Sequence, residues 1–172
     1  MFFSSYDNGN RVSAVGEMAD DGSDPQPDFA SLMNGSFHDQ AFIRGGLYVD
    51  QTGIFTNYLI AVTYDGGVWD LGCGKTNLLV HIPSNPELEG VITLPAGSQY
   101  GPWAGKIVSG SEDNPHLIYT IDPTGNYTSS PLIYHDGNDY VFNTEDFDII
   151  PPNQDLYVTD RQGERILKIE GQ

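Results

Sequence analysis

The stretch GGVWDLGCGKTNLLV, residues 66–80, decides what kind of fold to expect. Its GCGKT suggests a phosphate loop, in which the amides of a glycine-rich turn cradle phosphates and the lysine reaches them. Such a loop needs a glycine five residues before Gly74, where Trp69 stands, and a helix after Thr76. Thr76 leads instead into NLLVHI, an apolar run with a β-branched residue near its end that reads as a strand. The glycines are therefore a hairpin turn between GVWDL and NLLVHI, and no nucleotide is expected.

The same pattern recurs along the chain. LIAVT at 59–63, KIVSG at 106–110 and DLYVT at 155–159 share an apolar, β-branched pattern. Each is followed, after a polar turn, by GVWDL at 67–71, LIYTI at 117–121 or RILKI at 165–169. Each is preceded by a further run: GLYVD at 46–50, GVITL at 90–94 or DFDII at 146–150. This alignment makes Ile60, Ile107 and Leu156 equivalent, and likewise Val68, Ile118 and Ile166. The units recur about every 44–56 residues, close to one four-stranded propeller blade. Fourth strands read at 77–82 and 131–134. None follows Ile169, and NRVSAVGEM at 10–18 is expected to fill that place by closing back on the last unit. Helix signals are confined to 28–33. The fold class is all-β and propeller-like, with about three four-stranded blades at 45–88, 89–144 and 145–172. Residues 1–44 are expected to form an N-terminal strand and an acidic loop or arm, its irregular part at 19–37.

Bulk properties narrow the partners. Seven basic residues stand against 24 acidic ones, a formal net charge of −17, so polyanions such as nucleic acid are repelled and divalent cations attracted. No apolar run is long enough to span a bilayer, so no membrane insertion is expected. Cys73 is the only cysteine, which leaves no internal disulfide and no cysteine-rich metal site. MFFSSYDNGN lacks the basic and apolar regions of a signal peptide. The composition, rich in Asn, Gly, Thr and Tyr and poor in Lys, suits an extracellular or cell-surface protein.

YGPWAGKIVSGSEDNPHLIYTIDPTGN at 100–126, with EDFDIIPPNQDLYVTD behind it, resembles secreted bacterial β-propeller proteins, in which GPWAGKI, IYxIDPxGN and EDxDIIP recur between blades. GVWDL after its acidic turn is distantly similar to six-bladed propellers of the gluconolactonase type. The resemblance spans roughly residues 45–170. It implies a propeller fold, and in the gluconolactonase branch a divalent metal near the channel; that branch's metal motif is not visible here. Three blades fall short of a closed ring. The chain is then a piece of a longer propeller, half of a six-bladed ring completed by a second copy, or a smaller β arrangement.

Innermost strands of a propeller face its channel, and the alignment sets Gly45, Glu89 and Glu145 together, with Gly46, Gly90 and Asp146 beside them. Glu89, Glu145 and Asp146 are the expected metal ligands, their hard oxygens suiting Ca²⁺ or another divalent cation. The acids Asp65, Glu112, Asp113 and Asp160 lie at corresponding turns, where acidic side chains bond their own backbone. Trp103 and Tyr140 are the candidates for a ligand or protein interface. His38, His81, His116 and His135 show no metal or catalytic pairing, and VSGSED around Ser109 and Ser111 lacks a nucleophile elbow. The catalytic residues are therefore unassigned. The expected function is a non-catalytic binding or structural module that binds a divalent cation and self-associates, as a ring-completing dimer or a filament or surface-layer subunit. The other reading is a metal-dependent sugar or lactone hydrolase or dehydrogenase using the same channel acids.

Overall fold

The short apolar runs become antiparallel strands in the computed structural model, which describes residues 2–7, 12–24, 26–32, 43, 46–72, 75–132, 144–150, 155–160 and 163–169. Strands β1 (Phe2–Asp7), β2 (Val12–Glu17) and β3 (Gln26–Ser31) make a first sheet. A second holds β4 (Leu47–Val49), β5 (Leu59–Val62), β6 (Gly67–Gly72) and β7 (Lys75–His81). The third holds β8 (Leu88–Thr93), β9 (Ile107–Ser111), β10 (Ile118–Ile121) and β11 (Tyr127–Ser130), and the fourth β12 (Thr144–Ile150), β13 (Asp155–Asp160) and β14 (Arg165–Ile169). Strands within each sheet follow chain order. A 3-10 segment at Ser98–Trp103 is the helical piece among the described residues.

Acidic turns fasten the hairpins. Asp122, after β10, accepts hydrogen bonds from the Thr124 amide at 2.8 Å, the Thr124 hydroxyl at 2.7 Å and the Asn126 amide at 3.0 Å. Gly125 beside it takes φ +83°, a conformation side chains resist. The exposed Asp122 carboxyl is held down to about 2 by the Thr124 and Asn126 hydrogen bonds.

Between the sheets lie three apolar layers. Leu59, Ala61, Trp69 and Leu71 of the second sheet pack with Val15 and Leu32 toward the first. From the same strands, Ile60, Val62 and Val68 point the other way, onto Leu88, Val91, Ile107, Tyr119 and Ile121 of the third. Val108, Ile118 and Ile92 then meet Leu156, Phe147, Ile149 and Ile169 of the fourth. The central strands β5 and β10 are thus covered on both faces and buried at every position. Full burial of each such aliphatic side chain contributes roughly 1.5–3 kcal/mol. The first strands β1, β4, β8 and β12 neighbour one another in that order, so the four sheets are strung along a common inner edge.

Several expectations change. Residues 45–172 do carry three sheets, but residues 2–31 form a fourth rather than a strand and arm, and β2 pairs with β1 and β3 instead of the last unit. The third sheet's outer strand is Tyr127–Ser130, ahead of the expected 131–134, of which 133 and 134 lie outside the described residues. The tight Asp122 turn returns the chain at once, and Pro131 has no amide to offer a ladder. GCGKT joins two paired strands, with Gly72 opposite Lys75. The alignment also slips by one in β5. Cross-strand partners Leu59–Leu71, Ile107–Ile121 and Leu156–Ile169 all face the preceding sheet, so Leu59, not Ile60, corresponds to Ile107 and Leu156.

Candidate metal centre

The inner strands β8 and β12 touch through a notch made of glycine. Leu88 and Glu89 pair with Ser111 and Gly110, but Val91 pairs with Ser109, which leaves Gly90 as an extra residue in a bulge. Gly90 has φ +59°, and the Ser109 hydroxyl donates to its carbonyl at 2.8 Å. A Cβ on Gly90 would lie 1.6 Å from the Glu145 carbonyl oxygen, and one on Gly110 2.0 Å from that of Thr144. The absence of side chains at these two positions is what admits the β12 backbone and sets Glu145 beside Glu89. β12 is irregular at the same place, between Thr144 and Phe147, so Glu89 corresponds to Glu145 and Gly90 to Asp146.

Glu112 completes the group from a third direction. It follows β9, and its amide donates to the Glu87 carbonyl at 3.0 Å while the Asp113 carboxylate accepts the Glu87 amide at 3.2 Å. One carboxylate oxygen each from Glu89, Glu112 and Glu145 lies within 4.8 Å of the others; Glu89 is 8% exposed and the other two half-buried. Oxygens on opposite sides of a Ca²⁺ ion, each at 2.3–2.6 Å, stand about 5 Å apart, whereas Mg²⁺ draws them to about 4 Å. An all-carboxylate set of this width suits a hard cation and offers no thiolate or imidazole for a softer one.

No family model matches the chain, and none of the curated proteins does. Among solved structures it is similar to a catalytically inactive variant of virginiamycin B lyase from Staphylococcus aureus with quinupristin, a β-propeller. The TM-score is 0.60 at 11% identity, over 98% of this chain and 59% of the lyase's. The fold is that of a β-propeller. This chain thus spans about three-fifths of the lyase's length, and the likeness concerns fold alone. The computationally designed Ika4 protein is similar at a TM-score of 0.47 and 15% identity, over 94% of this chain and 86% of that one.

In propeller terms the acids lie where the innermost strands of the third and fourth blades meet. Of the expected ligands, Glu89 and Glu145 come together and Asp146 does not. Asp146 is exposed, and its amide donates to the Thr159 hydroxyl at 3.1 Å. Asp146 takes the place of the bulge residue Gly90 and lies outside the group of three. Trp103 is half-buried against the layer between the third and fourth blades, and Tyr140 lies outside the described residues. The other turn acids act on their own loops. Asp65 accepts the Thr63 hydroxyl at 2.5 Å with His81 Nε2 3.7 Å away, and Asp160 accepts the Gly163 amide at 2.9 Å and Arg165 at 3.1 Å.

One important acid had no signal in the repeat. Asp50, 2% exposed, ends the inner strand of the second blade. It accepts the Thr52 amide and hydroxyl at 2.9 and 2.6 Å, the Phe55 and Asn57 amides at 2.9 and 3.1 Å, and the Thr93 hydroxyl of the third blade at 2.8 Å. Burial pushes the Asp50 carboxyl up, but the bonds from Thr52, Thr93 and Asn57 together hold it below its ordinary value. It is a buried staple between blades, with its acceptor sites taken.

Proposed function

We propose that this chain is a propeller-type binding module that holds a divalent cation, calcium before magnesium, through Glu89, Glu112 and Glu145. The observation that carries the reading is the convergence of three carboxylates from β8, β12 and the end of β9 within one ion's width. Like charges gathered at the seam of two blades repel one another, and a cation between them turns that repulsion into a cross-link. The acidic composition supports the same reading, since a net charge of −17 raises the local concentration of cations. It also suits a protein that works outside the cell or on its surface, where free calcium is plentiful.

The test is calorimetric titration of chelator-treated protein with calcium chloride and, separately, magnesium chloride. One saturable calcium site per chain is expected, with magnesium weaker. Glu145→Gln and Glu112→Gln should each weaken calcium by roughly tenfold or more, the loss common even for a metal's outer-shell partners. Calcium affinity that both variants leave unchanged, or no saturable binding at all, would end the proposal.

A further inference from the structure

Charge is not spread evenly over the blades. β4 and β8 end side by side, where the Thr93 hydroxyl donates to Asp50 at 2.8 Å, and β8 and β12 begin side by side, at Glu89 and Glu145. The inner strands therefore run in one sense, and the turn from each blade's second strand to its third lies on the face where the inner strands begin. The β2–β3 turn of the first blade takes the same place in the propeller. Each of these turns carries acids. The first blade presents Asp20, Asp21 and Asp24 there, all exposed, and the third Asp113, half-buried. The fourth adds exposed Glu164, with exposed Asp146 near the start of β12. Among the described residues the basic side chains lie elsewhere or are engaged. Lys75 opens β7, Lys106 precedes β9 and Lys168 stands near the end of β14, all toward the opposite face. Arg165 begins β14 on the acidic face, and Asp160 holds it at 3.1 Å.

We propose that this acidic face is the docking surface for a lysine- and arginine-rich peptide segment of another protein, laid in extended form across the turns. A surface that is acidic for solubility alone mixes its charges and has no reason to sort them. Here acids and lysines are sorted to opposite faces, and a face of one sign draws cations in and speeds their encounter. The field is concentrated at the seam of the third and fourth blades, where Glu89, Glu112 and Glu145 gather within 4.8 Å on this same face. The occupant is extended because the acids are. They sit on turns of separate blades rather than around one centre, so a compact cation meets one group of them. A chain that advances about 3.3 Å per residue meets several. The turns are also set before a partner arrives. Asp21 accepts the Ser23 amide at 2.9 Å, and Asp113 accepts the Glu87 amide at 3.2 Å, so docking costs these side chains little freedom. The peptide needs no bound calcium, and the surface stands apart from the cation proposal.

The experiment is fluorescence anisotropy of a labelled decalysine peptide titrated with the 172-residue chain, in chelator, at low and at physiological ionic strength. One saturable site per chain is expected, weakened by salt because the charges are exposed. Asp146→Asn combined with Glu164→Gln should weaken the peptide by about fivefold or more, as fits the loss of two exposed charge pairs. Asp70→Asn combined with Asp148→Asn removes the same charge toward the opposite face and should change binding by less than about twofold. All four residues are exposed or half-buried, so both variants keep the fold, which circular dichroism checks. Chelator is present throughout, so failure of the calcium site does not register in this assay, and loss of the peptide does not bear on calcium. No saturable binding at low ionic strength, equal losses in the two double variants, or spermine bound as tightly as decalysine would each overturn the proposal.

Discussion

Replacing Asp50 by Asn keeps the shape of the side chain and removes its charge and half of its accepting capacity. Asp50 Oδ1 receives Thr52 twice and Thr93, and Oδ2 receives the Phe55 and Asn57 amides. Whichever way the new amide turns, one set of donors faces an NH₂ group. The less costly orientation keeps the oxygen toward Thr52 and Thr93 and strands the two amides. A buried donor left unmade costs about 1–3 kcal/mol; the Phe55 amide is buried and the Asn57 amide only partly so, and the loss is about 2–3 kcal/mol. Thr93→Val removes only the bond across the blades and should cost about 1–2 kcal/mol. Equilibrium unfolding in guanidinium chloride measures both, provided the slope is unchanged. The pH dependence gives a second check. The folded Asp50 carboxyl lies below its unfolded value of about 3.8, so its contribution is fully present above that value. It is lost as the pH falls through the folded value, where wild type protonates and comes to resemble the variant. The gap between the two should therefore be constant from pH 7 to about 5 and narrow below about 4. A loss under about 0.5 kcal/mol at pH 7, or a gap that widens in acid, would refute this account of the staple.

Two further outcomes are expected. Gly90→Ala forces a Cβ onto the Glu145 carbonyl, 1.6 Å away, at a residue with φ +59°, and should cost on the order of 3 kcal/mol or more of stability, read as a lowered guanidinium midpoint. A loss under about 1 kcal/mol would mean that the two inner strands do not meet there. The Asp122 carboxyl should titrate near 2 by carbon-13 NMR, with its contribution to the β10–β11 turn present above about 3.8 and lost through about 2; a midpoint of 3.5 or higher would contradict the turn geometry.

The repeat was legible where one face of a strand differs from the other. Val68, Ile118 and Ile166 were aligned correctly because GVWDL, LIYTI and RILKI each carry polar or small residues that mark a side. LIAV offers no such mark: all four residues of β5 are buried, so period-two alternation vanishes and the register slips by one. The first blade escaped for the opposite reason. FFSSYD, VSAVGE and QPDFAS carry enough Ser, Gly, Asp and Pro that their strands look like an irregular arm.

The candidate site divides along the same physical line. Glu89 and Glu145 occupy equivalent inner-strand positions, which a repeat exposes directly. Asp146 shares that alignment but lies outside the group, at the irregular step of β12 that matches the Gly90 bulge of β8. Glu112 was assigned to a turn, and nothing local marks it as a partner of Glu89. Its place is set by the β8–β9 ladder, which runs Leu88 to Ser111 and carries the next residue past the end of β9 to the start of β8. The group thus depends on one antiparallel pairing within a blade and one glycine notch between blades. A change at Gly90 should scatter the carboxylates without touching any of them, so loss of cation binding in Gly90→Ala alongside intact Glu89, Glu112 and Glu145 would tie the site to the blade seam. Binding that persists there at full strength would place the cation elsewhere.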